Sequence, residues 1–172
     1  MDMTGKTTEK KIQLSRMTDL VRSAVTVLMP LTVTAVIAVL RLLTEDVLRS
    51  AGWDVCCLVI TVLAWLGAVV CTKTRLLGKS MPGTGLAISA MLLVSVLAFV
   101  LAYAMEQEIF GFYSGLWAMG KLLGGPAAVS ADGMRCLLGG VPEGAAAMMA
   151  GGVYLALSLA AAFPVRDRKT KK

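Results

Sequence analysis

The chain has 172 residues, of which 57% are apolar and 16% charged, and it contains no histidine. Its mean hydropathy of +0.76 excludes a disordered chain, and a water-soluble domain this small has too little interior to hide so much apolar side chain. Histidine-ligated metal sites and Ser-His-Asp hydrolases fall with the missing histidine, and the composition indicates an integral membrane protein.

In chain order, residues 1–22 form a basic segment. Within 9–22, Ile12, Met17, Leu20 and Val21 recur at roughly helical spacing. That pattern predicts a short amphipathic helix on the cytoplasmic membrane surface, with a frayed basic tail as the plainer alternative. Arg22 and Arg41 then bracket a charge-free stretch, 23–40. Arg41, Leu42, Leu43 and Thr44 follow it in place of the small residues of a cleavage site, so a retained span is expected. Pro30 lies inside this span and frees a carbonyl one turn earlier, which Thr34 is placed to compensate.

Further charge-free stretches cover 55–72, 84–105 and 144–165. At 1.5 Å rise per residue, 18 residues cover about 27 Å and 22 about 33 Å, against a hydrocarbon core of ~30 Å. None of the four keeps a polar face, as a helix of a soluble bundle would. Between the third and fourth spans lies an insert, 106–143, too long for an ordinary structureless loop. It opens with Glu106 and Glu108, clusters Phe110, Phe112, Tyr113 and Trp117, and reaches Gly124-Gly125-Pro126. Aromatic rings favour the headgroup level, so 109–123 is expected to lie as a helix in the outer interface, with a second short helix at 131–139. The sharper alternative is a re-entrant hairpin, its tight turns permitted by Gly111, Gly115, Gly120, Gly124 and Gly125. A basic tail, 166–172, ends the chain.

Four spans put 1–22, 73–83 and 166–172 on one side, with thirteen Lys and Arg against four acids, net +9. The other side, 41–54 and 106–143, holds four bases and seven acids, net −3. The positive-inside bias therefore predicts both termini in the cytoplasm of a cell whose inner membrane holds the chain. Short basic juxtamembrane runs suit anionic headgroups on that side, not nucleic acid.

Candidate sites are few. Thr32, Thr61, Ser95 and Tyr154 fall near one level at the bilayer centre, either as interhelical hydrogen bonds or as a polar pocket, with Ser95 or Thr61 the expected partner of Tyr154. Gly152, Ala156 and Ala160 recur every four residues, with Ala146 and Ala150 extending the small-residue surface toward the bundle or another subunit. On the outer side, a disulfide between Cys136 and either Cys56 or Cys57 is conceivable. The four spans carry no titratable acid or base for proton or ion coupling, and the sequence offers no catalytic, cofactor or metal motif.

In size and span count the chain resembles the four-helix thiol oxidases of bacterial membranes, but their CxxC in the first outer loop is absent from TEDVLRSAGWD. Trp53-Asp54 leading to Trp65-Leu66-Gly67-Ala68 is faintly similar to the second helix of the small permease subunits of TRAP carboxylate transporters, without the acidic pair that follows their tryptophan. The expected fold is thus an all-α antiparallel bundle of four transmembrane helices with an interfacial helical insert between helices three and four. The expected role is a non-catalytic subunit or accessory component, homo-oligomeric or bound to a larger membrane protein. A small oligomeric transporter or channel, and a membrane thiol or lipid enzyme, are the alternatives.

Overall fold

The computed structural model describes residues 3–44, 51–74, 83–104 and 114–163, and side chains at 12–41, 43, 52–74, 83–101, 125–142 and 144–163. The described residues form five helices and no strand: α1 (Met3–Thr44), α2 (Ala51–Thr74), α3 (Thr84–Ala104), α4 (Ser114–Leu137) and α5 (Glu143–Ala162). Four stretches are long and apolar enough to cross a membrane, namely Ile12–Arg41, Gly52–Thr74, Thr84–Leu101 and Gly144–Ala162. These four are compatible with a multi-pass membrane protein.

Polarity is distributed the opposite way from that of a water-soluble domain. Val59, Ile60, Leu63, Val94, Leu97, Leu101, Met148 and Leu159 point outward, whereas Thr34, Thr61, Ser95, Ser130 and Ser158 are buried. Buried Trp65, Ile88, Leu92, Phe99, Ala127, Ala147 and Tyr154 form the main core. Where lipid replaces water, close van der Waals packing and hydrogen bonds hold such helices together. α3 and α5 approach most closely where a side chain is missing. A Cβ on Gly85 would lie 2.8 Å from the Ala161 carbonyl oxygen. Four residues on, the hydroxyls of Ser89 and Ser158 meet at 3.0 Å.

Two expectations are corrected. The basic segment is no separate surface helix, because α1 runs without interruption from Met3 to Thr44. Residues 6–29 contain neither glycine nor proline, so no residue there stops the helix at the membrane boundary. Pro30 is carried within α1. Thr34 does compensate locally, but by donating to the carbonyl of Pro30 itself at 2.7 Å, not to the one that proline frees a turn earlier.

The second correction concerns the insert beyond Gly125; the helix expected in the outer interface at 109–123 lies among residues whose side-chain surroundings are not described. α4 is helical on both sides of a break at Gly125, whose backbone stands at φ 39 and ψ −108. A side chain is strained at that angle, and a Cβ there would meet the Thr34 methyl group at 3.6 Å. Beyond the break the helix is no interfacial lid. Ala127 and Ser130 are fully buried, and Val129 and Gly133 are buried beside them. α4 touches each of the other four helices. Small residues make this possible: a Cβ on Gly133 would stand 2.5 Å from both the Asp54 carbonyl oxygen and the Leu58 Cβ. The second helix expected at 131–139 is thus the end of this buried half, and turns at Gly139 and Gly140, both at positive φ, lead into α5.

Phe110, Phe112, Tyr113, Glu106, Glu108 and the tail 166–172 lie outside the described residues, as does most of the basic segment 73–83. Trp117 lies in the helical backbone of α4, among the residues whose side chains are not described.

Candidate functional site

The most concentrated chemistry lies where α1, α2 and α4 meet. Arg41 stands near the C-terminal end of α1 and Asp54 in the first turn of α2, so each charge complements its own helix dipole. Arg41 Nη2 donates to Asp54 Oδ1 at 2.9 Å and to Asp132 Oδ2 at 2.6 Å, while Nη1 donates to the Val129 carbonyl at 3.1 Å. One guanidinium therefore ties three helices together, through charge-assisted bonds that its fork of donors suits. The side chains of Arg41 and Asp54 are 18% and 10% exposed, that of Asp132 38%. Two carboxylates share one guanidinium.

The Cys136 thiol donates to the other oxygen of Asp54, at 3.9 Å. Burial raises its pKa above the ordinary thiol value, and the Asp54 and Asp132 charges and the Asp54 hydrogen bond raise it further, against a smaller opposite pull from Arg135. This is the reverse of an activated redox cysteine, whose thiolate is stabilised by nearby cations. The conceived disulfide is not formed: all four cysteines are free thiols. Cys56 faces outward, Cys57 is buried in a cluster with Ile37 and Val129, and Cys136 is turned to Asp54 instead. Among the described residues no three of His, Cys, Asp and Glu are grouped to hold a metal ion.

Deeper in the bundle, the four residues of the expected polar layer have different surroundings. Tyr154 is fully buried, and its hydroxyl lies 2.7 Å from the hydroxyl of Ser130 on α4, not on Ser95 or Thr61. α4 fills the space through which those two side chains were expected to meet it. Thr61 is buried and donates within its own helix to the Cys57 carbonyl at 2.7 Å. Thr32 is exposed and donates to the Met29 carbonyl at 2.8 Å, outside any layer. Ser95 is buried and has a partner of its own. A cross-helix bond that the sequence reading missed runs from Trp65 Nε1 to Thr34 Oγ1 at 3.0 Å, beside the break in α4.

Gly152, Ala156 and Ala160 all lie on the outward face of α5, and nothing approaches the Cβ position of Gly152 within 4 Å. Ala146, Ala147, Ala150 and Ala161 make the inward face instead. At the end of the bundle far from Arg41, Lys73 Nζ donates to the carbonyls of Ala161 and Phe163, closing the C-terminus of α5.

Arg41, Asp132 and Ser130 were not singled out as site residues in the sequence. Arg41 served there as the edge of an apolar stretch, and Asp54 only within the Trp53-Asp54 resemblance. The available signal was their position: an arginine closing one apolar helix and an aspartate opening the next must find partners where those helix ends meet. Comparison of the chain with protein-family models, with curated proteins and with solved structures finds no match in any of the three.

Proposed function

We propose that this chain is a multi-pass integral membrane protein of the cytoplasmic membrane, and that it serves as a non-catalytic subunit or accessory component of a larger membrane complex. On this reading the four spans form an antiparallel bundle, with the Arg41 end outside and both termini in the cytoplasm. The sidedness rests on the net +9 of the segments at the Lys73 end against net −3 at the other.

One observation carries the role: the interior is spent on holding itself together. The buried half of α4 occupies the centre, and Trp65, Tyr154, Ile88 and Leu92 around it are fully buried. Thr34, Thr61, Tyr154 and Ser158 each hydrogen-bond within the chain. A packed interior of this kind suits a scaffold better than a conduit. Purification of the full chain in mild detergent from its native membrane is expected to bring down a larger membrane protein in fixed ratio. Solute or ion flux through the purified chain alone in liposomes would overturn the reading.

A second reading, the small oligomeric transporter or channel, is favoured by the break in α4. Interrupted helices at depth recur in transporters, where they are tolerated because protein or a water-filled cavity surrounds them. Here Gly125 and Pro126 are buried in protein, which supports the first reading.

A further inference from the structure

α4 is set into a frame whose other helices hold one another. α1 and α2 are joined by Arg41 with Asp54 and by Thr34 with Trp65. α3 and α5 are joined by the close approach of Gly85 to Ala161 and by Ser89 with Ser158. Lys73 joins α2 to the end of α5. None of these contacts uses α4. Yet α4 touches all four of the other helices, and Ala127, Val129, Ser130 and Gly133, beyond its break, are buried.

Both ends of this buried half are glycines at positive φ. At Gly125 the helix is interrupted, and Pro126 has no N–H to bond back across the interruption. At the other end the Leu138 amide closes the helix on the Met134 carbonyl at 3.0 Å, and Gly139 and Gly140 follow at φ 63 and 98. These two are exposed, with nothing within 4 Å of their Cβ positions. A rigid helix changes its angle to a scaffold by rotations at a few such residues at its ends. The side chains it buries are small, Val129 being the largest. Small side chains interlock little, so its polar ties decide whether it stays docked.

Those ties are unequal. Asp132 accepts from Arg41 at 2.6 Å and the Val129 carbonyl at 3.1 Å; Ser130 meets Tyr154 at 2.7 Å, and Cys136 donates to Asp54 at 3.9 Å. Of these only the first has a charge on both partners, and charge-assisted bonds are roughly twice as strong as neutral ones. Asp132 is also the more exposed of the two carboxylates on Arg41. Because the guanidinium is shared, neutralising Asp132 leaves Arg41 paired with Asp54, so α1 and α2 stay joined.

We propose that residues 126–137 form a latched rod, turning on Gly125 and Gly139-Gly140, with the Arg41–Asp132 pair as the latch that keeps it docked. Docked is the resting state, and opening is a local excursion that leaves the frame closed. A group that neutralises Asp132 at the Arg41 end thus loosens the interior without unfolding the bundle. The chain carries its own reporter of the excursion: Cys57 is 2% exposed and packs with Ile37 and with Val129 of the rod. The device is independent of the choice between the two roles above.

Thiol labelling of the full chain in mild detergent, with mass spectrometry to locate the label, tests it. Cys57 is expected to react slowly with N-ethylmaleimide in the unmodified chain and about tenfold faster in Asp132→Asn, with Asp132→Glu close to the unmodified chain. Cys71, near the Lys73 end, is expected to react alike in all three. Equal Cys57 rates in the unmodified chain and Asp132→Asn overturn the proposal. So does a parallel rise at Cys71, which marks general loosening. Hydrogen exchange on the unmodified chain needs no variant: amides 131–134 are expected to exchange about tenfold faster than those of 88–101 in α3, although Ala127 and Ser130 of the rod are fully buried. Equal or slower exchange in the rod overturns the proposal. A chain that brings down its larger partner while failing both tests loses the latch alone.

Discussion

Two polar groups lie inside the bundle, and they are satisfied in different ways. The threonine hydroxyls turn back on their own helices: Thr26 to Arg22, Thr34 to Pro30, Thr61 to Cys57. The charges at the Arg41 end reach across the chain, to partners 13 and 91 residues away. A hydroxyl in an apolar helix has a carbonyl one turn back within reach, so it needs no neighbour. A guanidinium has no such local partner and must recruit one. The charged group therefore specifies how helices meet, whereas threonines such as Thr26 and Thr61 specify nothing beyond their own turn.

The largest expected effect tests that contrast directly. Arg41→Ala leaves two carboxylates without the guanidinium they share. Removing one member of a buried ion pair costs about 3–5 kcal/mol, and roughly 2–4 is expected here because Asp132 is 38% exposed. The thermal midpoint in detergent should fall accordingly. Restoring most of it by combining Arg41→Met with Asp54→Asn and Asp132→Asn would show that the loss came from stranded charge. If Arg41→Ala unfolds no more easily than Thr61→Ala, the contrast between the two groups is wrong.

Next comes the packing that lets α4 reach the charges. Gly133→Ala places a methyl group 2.5 Å from backbone and Leu58, and overpacking of this kind typically costs about 1–3 kcal/mol. Gly152→Ala, on the outward face of α5 with nothing within 4 Å, should change the midpoint little or raise it. Equal losses at the two glycines would mean that α4 is not packed on α2 as described.

The same contrast explains what was legible in the sequence. Four apolar helices could be read from the gaps between charges, because lipid imposes a length and polarity rule on each helix separately. The partner of Tyr154 could not. Its hydroxyl needs some donor or acceptor, but which one depends on α4 lying in the middle of the bundle, and residues 126–137 carry Ser130, Asp132 and Arg135, which read as surface in isolation. Gly124-Gly125-Pro126 was legible as a break, though not the depth at which it occurs. Arg41 and Asp54 were visible as boundaries, and only the meeting of helix ends turns them into a group.

A smaller effect measures the one hydroxyl bond that does cross helices to α4. Tyr154→Phe removes its link to Ser130 and is expected to cost about 0.6 kcal/mol, the average for such bonds between membrane helices, and under ~2. A double-mutant cycle with Ser130→Ala isolates the pair. Coupling near zero would return Tyr154 to the class of hydroxyls that specify nothing.

The least effect on stability, and the sharpest chemical signature, belongs to Cys136. Its pKa lies above the ordinary thiol value, through burial first and the Asp54 carboxylate second, so at a given pH less of it is thiolate than in a free cysteine. Since only the thiolate reacts, alkylation at Cys136, followed by mass spectrometry on the intact fold, should lag a cysteine peptide at pH 8 and rise at a higher pH than the peptide does. Asp132→Asn removes a charge that raises the pKa and spares the hydrogen bond to Asp54, so its curve should move back toward that of the peptide. A Cys136 that reacts as fast as the peptide at neutral pH would mean that its sulfur does not face Asp54. The charged group would then tie three helices without reaching the thiol.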